Sequence, residues 1–327
     1  MISLRSQLWG EALKKSRALR EDLQPLQDVD HWIKEAEERK RATLCEEHTS
    51  LRCLPTPNWI KALDPHESSL LQVGANIHEK TSYTQDDPAP LAVELGWSCT
   101  LLEPMPEVFE MLEKHYTPPP PNVKLINAAV CDECSDVPLT MYSIDLTNAT
   151  GNWGSNTSDT RCFAANSGSE SCMPFCNNGS HWTSEIASLT REHLVRHNRL
   201  FAYGPNQCRR CSQRLGRPMP SDCMREIITK NIKETSVHCF CIATDLASHA
   251  DNLSLLMIDA EGHDDAVLEQ FPFDHMKPAR VIFEAFHLGL RRFYKIARYL
   301  RAYGYEMLDG SPTAYITTWH HVNSTEQ

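Results

Sequence analysis

Leu70-Leu71-Gln72-Val73-Gly74-Ala75-Asn76 and Leu255-Leu256-Met257-Ile258-Asp259-Ala260-Glu261-Gly262 decide the fold of this chain. Each is a short apolar run that ends in small or polar residues. A buried parallel strand reads this way when its C-terminal end opens onto a ligand crevice. Leu101-Leu102-Glu103-Pro104 and Asn127-Ala128-Ala129-Val130 repeat the pattern. Helical periodicity separates these segments, so together they predict a nucleotide- or nucleoside-binding α/β domain.

Working outward, the α/β core starts near Ser68, with a first strand over Leu70–Val73. Asp87-Pro88 opens a helix that Gly96 closes. Cys99–Leu102 is a second strand, Pro106 begins a helix, and Val123–Asn127 is a third strand. An extended stretch, Val237–Ala243, precedes the strands Leu253–Ile258 and Ala279–Phe283; Leu288–Tyr303 is an amphipathic helix closed by Gly304. Tyr305–Leu308 and Ala314–Trp319 are strand-like and lie too close in sequence for a parallel crossover, which predicts an antiparallel hairpin. A mostly parallel seven-stranded sheet that finishes this way is the Rossmann-like plan of the class I methyltransferases, and an ordinary dinucleotide-binding domain lacks it.

The expected organisation is a helical N-terminal extension over residues 1–67 and an α/β domain over 68–327, interrupted by a Cys-rich insertion or lid over 146–230. The insertion holds one helical pattern, about Thr190–Arg199. It is too long for a plain connection. Across 327 residues the formal charge is −11, which disfavours general affinity for nucleic-acid backbones or anionic membranes. The arginines at 209, 210, 214, 217 and 225 form a local basic cluster that reads as a solvated surface. No apolar run reaches the roughly 20 residues of a membrane span. A cytoplasmic location is expected; basic residues in the first twenty leave a mitochondrial presequence open. Thirteen cysteines, with pairs at Cys131/Cys134 and Cys208/Cys211, read first as free thiols, with structural zinc or disulfides as alternatives. Five Asn-x-Ser/Thr sites carry no glycosylation meaning in a cytosolic chain.

Gly74 follows the first strand directly and allows a tight turn beside a ligand. The further glycines that bring helix amides onto a pyrophosphate are missing, which argues against NAD or FAD. S-adenosylmethionine has no phosphate, so one glycine with small polar neighbours suffices. Glu103 lies 29 positions beyond Gly74, where an acid can accept both ribose hydroxyls. Ala128 and Ala129 are candidates for the adenine edge.

Gln72-Val73-Gly74-Ala75-Asn76, Asp86-Asp87-Pro88, Leu102-Glu103-Pro104, Asn127-Ala128-Ala129-Val130, Ile258-Asp259-Ala260-Glu261-Gly262 and Ile282-Phe283-Glu284 together resemble the FkbM-type family of S-adenosylmethionine-dependent methyltransferases. The resemblance covers about Leu70–Glu133 and Leu253–Thr318. It implies methyl transfer, commonly to a hydroxyl oxygen on small molecules or glycans. This chain departs from the family at Gln72, where an acid is usual, at His78, where glycine is common, and in its insertion.

Expected cofactor contacts are Gln72, Gly74, Ala75, Asn76, Glu103, Pro104, Ala128, Ala129 and Asp259. Asp259 and Glu261 share a face in extended geometry and sit where open α/β sheets bind ligands. They are expected in the site together with His287, without a fixed choice of base; His263 and Glu284 are further candidates. Two other readings remain: a catalytically degenerate scaffold of the same fold, and a nicotinamide-dependent oxidoreductase. The sequence leaves the acceptor, any metal and the oligomeric state unknown.

Overall fold

Along the chain, the structure, a computed structural model, runs α1 (Thr56–Ala62), β1 (Ser69–Val73), α2 (Ala89–Glu94), β2 (Ser98–Leu102), α3 (Pro106–His115) and β3 (Val123–Ile126). Then come β4 (Ala129–Val130), β5 (Leu139–Ile144), α4 (Arg191–Arg196), β6 (Ile232–Val237), β7 (Cys239–Phe240) and α5 (Ile242–Asp245). The chain closes with β8 (Leu255–Ile258), α6 (Asp264–Gln270), β9 (Arg280–Glu284), α7 (Gly289–Ala302), β10 (Tyr305–Asp309) and β11 (Ile316–His321). The described residues are 54–77, 87–131, 137–144, 187–196, 229, 231–246, 253–311, 314 and 316–322. They all belong to one unit, Leu51–Gln327. The expectations for residues before 54, for most of 146–230, and for the pair Cys208/Cys211 lie outside them.

Seven strands make one sheet in the order β10-β11-β9-β8-β1-β2-β3. All neighbours are parallel except those of β11, which runs antiparallel to both β9 and β10. This is the class I methyltransferase order, with the reversed strand inserted beside the edge. β1 lies between β2 and β8, so the direction of winding reverses at its C-terminal end, where ligands bind in open α/β sheets.

Side chains alternate across the sheet. Leu71, Val73, Leu256, Ile258, Val281 and Phe283 face a core filled by Val267 and Leu268 of α6 and by Phe293, Ile296, Ala297 and Leu300 of α7. The α7 residues recur at the spacing of one helical face. Leu70, Cys99, Leu101, Leu255, Met257 and Ile282 face a second core closed by α1, α2 and α3. Strands covered on both sides need continuous apolar runs, as the sequence has. The end of the expected extension is part of this second core. Trp59 packs edge-on to Trp97. The fully buried Arg280 stacks on Trp59 and donates to Thr56 Oγ1 and the Leu54 carbonyl.

Two smaller pairings were not legible in the sequence. β5 and β6 pair antiparallel over Leu139–Ile144 and Ile232–Val237. The stretch expected to be extended through Ala243 instead turns helical at Ile242. β4 pairs parallel with β7 and sets Ala129 opposite Cys239. That register brings Cys131 and Cys239 to a Cα–Cα separation of 5.4 Å in a disulfide, and Cys241 is disulfide-bonded as well. The free-thiol reading is therefore corrected at these positions, and Cys131 is not available as a zinc thiolate. Cys99 alone among the described cysteines is free, and burial pushes its thiol up to about 12. Alkylation of the unfolded, unreduced chain followed by peptide mapping should leave Cys131, Cys239 and Cys241 unmodified and label Cys99; labelling of Cys131 and Cys239 without reductant would refute the pairing.

Candidate functional site

Strand register sets the site. Val73 pairs with Leu102 on one side and Ile258 on the other, and Ile258 pairs with Phe283. The next residues, Glu103, Gly74, Asp259 and Glu284, therefore form a row across four strands at one level. Backbone bonds lock it: Gly74 N and Ala75 N donate to the Leu102 carbonyl, Asp259 N to the Val73 carbonyl and Glu103 N to the Ile126 carbonyl.

Gly74 has a φ of +79°, and a Cβ there would lie 1.9 Å from the Asp259 carbonyl oxygen. Only glycine fits so close to the neighbouring backbone. Glu103 is buried, and its two carboxylate oxygens accept from Asn76 N and Met105 N, each at 2.9 Å. Asn127 Nδ2 donates to the carbonyls of Glu103 and Pro104 and braces the turn after β2.

These residues border a cavity enclosing about 640 Å³ of space, part of it open to solvent. Its wall includes Gly74, Asn76, Glu103, Pro104, Ala128 and Ala129 together with Asp259, Glu261 and His263. Of the sequence candidates, Gln72, Ala75, His287 and Glu284 are not in that wall. Gln72 shares its strand face with Leu70, away from the cavity, and its Nε2 donates to Asp87 Oδ1. Ala75 is buried in the second core. The Ala129 N–H is engaged by the His238 carbonyl, so that residue offers the cavity its side chain rather than its amide. Met141, Ala187 and Leu189 also line the cavity and were not anticipated.

Beside the cavity lies a second group that sequence reading assembled only in part. Glu261 has a φ of +46°, unusual for a residue with a side chain. Its Oε2 lies 3.4 Å from His193 Nε2 and 3.6 Å from His287 Nε2. His287 Nε2 is in turn 3.5 Å from Glu284 Oε1. The two imidazoles meet edge to face. His193 comes from α4, a helix that the sequence pattern marked without singling out this residue. Ser188 positions that segment: its backbone pairs with Tyr142 and its Oγ donates to the Glu261 carbonyl. Gly262 makes room, since a Cβ there would fall 2.7 Å from His193 Nδ1. The loop after β8 is held further by Asp264, which accepts from Glu284 N, and by Arg292, which grips Asp265 and the Gly262 carbonyl. His193, Glu261 and His287, and separately Asp259, Glu261 and Glu284, are grouped closely enough to share a cation.

The site is crowded with buried carboxyl groups. Burial raises the Asp259 carboxyl well above the usual range, and Glu261, Asp264, Asp87 and Glu103 push it the same way. Among the described residues Asp259 Oδ1 has no hydrogen-bond partner. Desolvation pushes Asp264 up to about 7. Asp87 rises to about 6 for the same reason, against the bonds from Ala89 N and Gln72. A crevice ringed by buried carboxylates favours a cationic ligand and repels a pyrophosphate.

Sheet order, the reversed strand and the crevice at the end of β1 define a class I methyltransferase fold. The family model for the methyltransferase FkbM domain matches residues 72–307, and the chain belongs to that family. Comparison with curated proteins and with solved structures gives no match. No helix among the described residues is long and apolar enough to cross a membrane.

Gly74→Ala forces both a contact with the Asp259 carbonyl and a left-handed backbone on a residue with a Cβ. It should lower stability by roughly 3 kcal/mol or more in urea unfolding; an unchanged midpoint would contradict the register described. Asp87→Asn keeps both acceptor bonds and removes a titration. Between about pH 4 and 6 the folded protein holds a proton that the unfolded chain has released. Asp87 therefore favours folding most below that window, and the contribution is lost as pH rises through it. Wild type minus Asp87→Asn stability should fall by at most about 3 kcal/mol from pH 4 to 6.5; a flat difference would show that Asp87 titrates normally.

Proposed function

We propose that this chain is an S-adenosylmethionine-dependent O-methyltransferase acting on a hydroxyl of a small molecule or glycan. The observation that carries this reading is the row Glu103, Gly74, Asp259 at the switch point, surrounding one cavity with buried carboxyl groups. Gly74 leaves the backbone bare where a ligand approaches. Glu103 is oriented by two amides in the cavity wall, where a carboxylate can accept from ribose hydroxyls. The carboxylates of Asp259 and Glu261 complement a ligand carrying an ammonium and a sulfonium. When bound, S-adenosylmethionine supplies a methyl group activated by its sulfonium; the carbon–sulfur bond breaks as the bond to the acceptor oxygen forms.

The protein's part is positioning, exclusion of water and acceptance of the acceptor's proton. Asp259 and Glu261 are the carboxylates placed to take it, with His287 behind them. Met141, Ala187 and Leu189 add an apolar wall on which part of an acceptor can lie. The Cys131–Cys239 disulfide supports an oxidising compartment rather than the expected cytoplasm, where the five Asn-x-Ser/Thr sites gain meaning as glycosylation acceptors.

Calorimetric titration should show binding of S-adenosylmethionine and none of NAD, and Glu103→Gln should weaken that binding about tenfold or more. Asp259→Asn and Glu261→Gln should abolish methyl transfer while leaving the fold intact. Binding of NAD alone would overturn the reading, and binding of neither would turn it toward the scaffold alternative.

A further inference from the structure

We propose that His193, His287 and Glu261 bind a divalent first-row transition ion of the zinc or cobalt class. Three independent chain segments converge on the point: α4, the turn after β8 and the turn after β9. Their donor atoms are spaced for a shared ion. A tetrahedral zinc with ligands at about 2.0–2.1 Å sets those ligands roughly 3.3 Å apart. The observed separations of 3.4 and 3.6 Å fit that spacing. They exceed the roughly 2.7–2.9 Å of a charge-assisted hydrogen bond between imidazolium and carboxylate.

The surroundings also fit. The His193, Glu261 and His287 side chains are only 11%, 11% and 4% exposed, and Glu284 is fully buried. So many carboxylates at the end of one sheet are costly without a compensating cation. The backbone is shaped around the group at two places, the positive φ of Glu261 and the glycine at 262 that admits His193. Two imidazoles with one carboxylate select zinc, cobalt, iron or nickel over magnesium, which takes oxygen donors.

The ion's chemistry rests on the methyl-transfer reading, although its ligand set does not. Bound next to the cavity, the ion would take the acceptor oxygen as a further ligand and lower the pKa of its hydroxyl. The acceptor proton would then leave to water, and the oxygen would attack the methyl carbon as the carbon–sulfur bond breaks. Glu261 in this scheme is a ligand.

The test uses the full chain, stripped with a chelator and titrated with cobalt(II) and, separately, zinc(II). Wild type should bind one cobalt per chain with visible bands of a nitrogen and oxygen site and without thiolate charge transfer. His193→Ala and His287→Ala should weaken that binding by roughly a hundredfold or more. Zinc should raise the unfolding temperature of wild type and not of the variants. If His193→Ala fails to fold, His193→Gln serves, because it preserves packing and removes the imidazole. Undiminished binding in folded variants, or a thiolate spectrum alone, overturns the site. Calorimetry with S-adenosylmethionine on the same samples separates the two readings. Cofactor binding without metal binding sinks this inference alone, and metal binding without cofactor binding sinks the methyl-transfer reading and leaves the site standing.

Discussion

Everything in the candidate site hangs on the backbone ladder that joins β2, β1, β8 and β9 at a common level. Parallel strands keep register through evenly spaced hydrogen bonds, and a slip of one residue would send every side chain to the opposite face. Here the ladder ends with Leu102, Val73, Ile258 and Phe283 aligned. The next position in each strand carries an acid or glycine, and the approach of Gly74 to the Asp259 carbonyl allows no other packing. Both apolar cores serve this alignment, because they hold the four strands from either side.

The same register explains the charge. Placing Glu103, Asp259 and Glu284 on one row, with Glu261 and Asp264 immediately after, concentrates carboxyl groups where the sheet meets the cavity. Partly paired acids in a low dielectric raise one another's pKa, as at Asp259. Arg292 offsets this at the rim, through Asp265. Among the described residues lining the cavity there is no arginine or lysine. A cationic ligand is the physical complement, which is why the electrostatics and the missing glycines both turn away from a dinucleotide.

The fold was legible in the sequence because strands buried on both faces must be written as unbroken apolar runs, and each run here ends in a recognisable polar residue. The terminal hairpin was legible because five residues cannot make a crossover. Gln72 was misplaced for a reason of parity: it alternates with Val73 and so faces α2 and Asp87. The disulfide was hidden because its partners are 108 residues apart and meet only through the β4–β7 pairing. His193 was hidden because the helical pattern over about Thr190–Arg199 marks the element and not which of its polar side chains turns to the site. Its place depends on Ser188 reaching the strand end, a contact no spacing encodes.

The cavity therefore has two walls of different origin. One wall is the rigid ends of the central strands, where any change of residue disturbs the register. The other comes from β5 and residues 187–189, which attach through the β5–β6 pairing and the Tyr142–Ser188 bridge. Ile144 and Ile232 are opposite one another in that pairing, so the chain leaves and returns at nearly the same place. On the proposed methyl-transfer reading the cofactor lies against the first wall and the acceptor against the second, and His193 joins the second wall to Glu261 of the first.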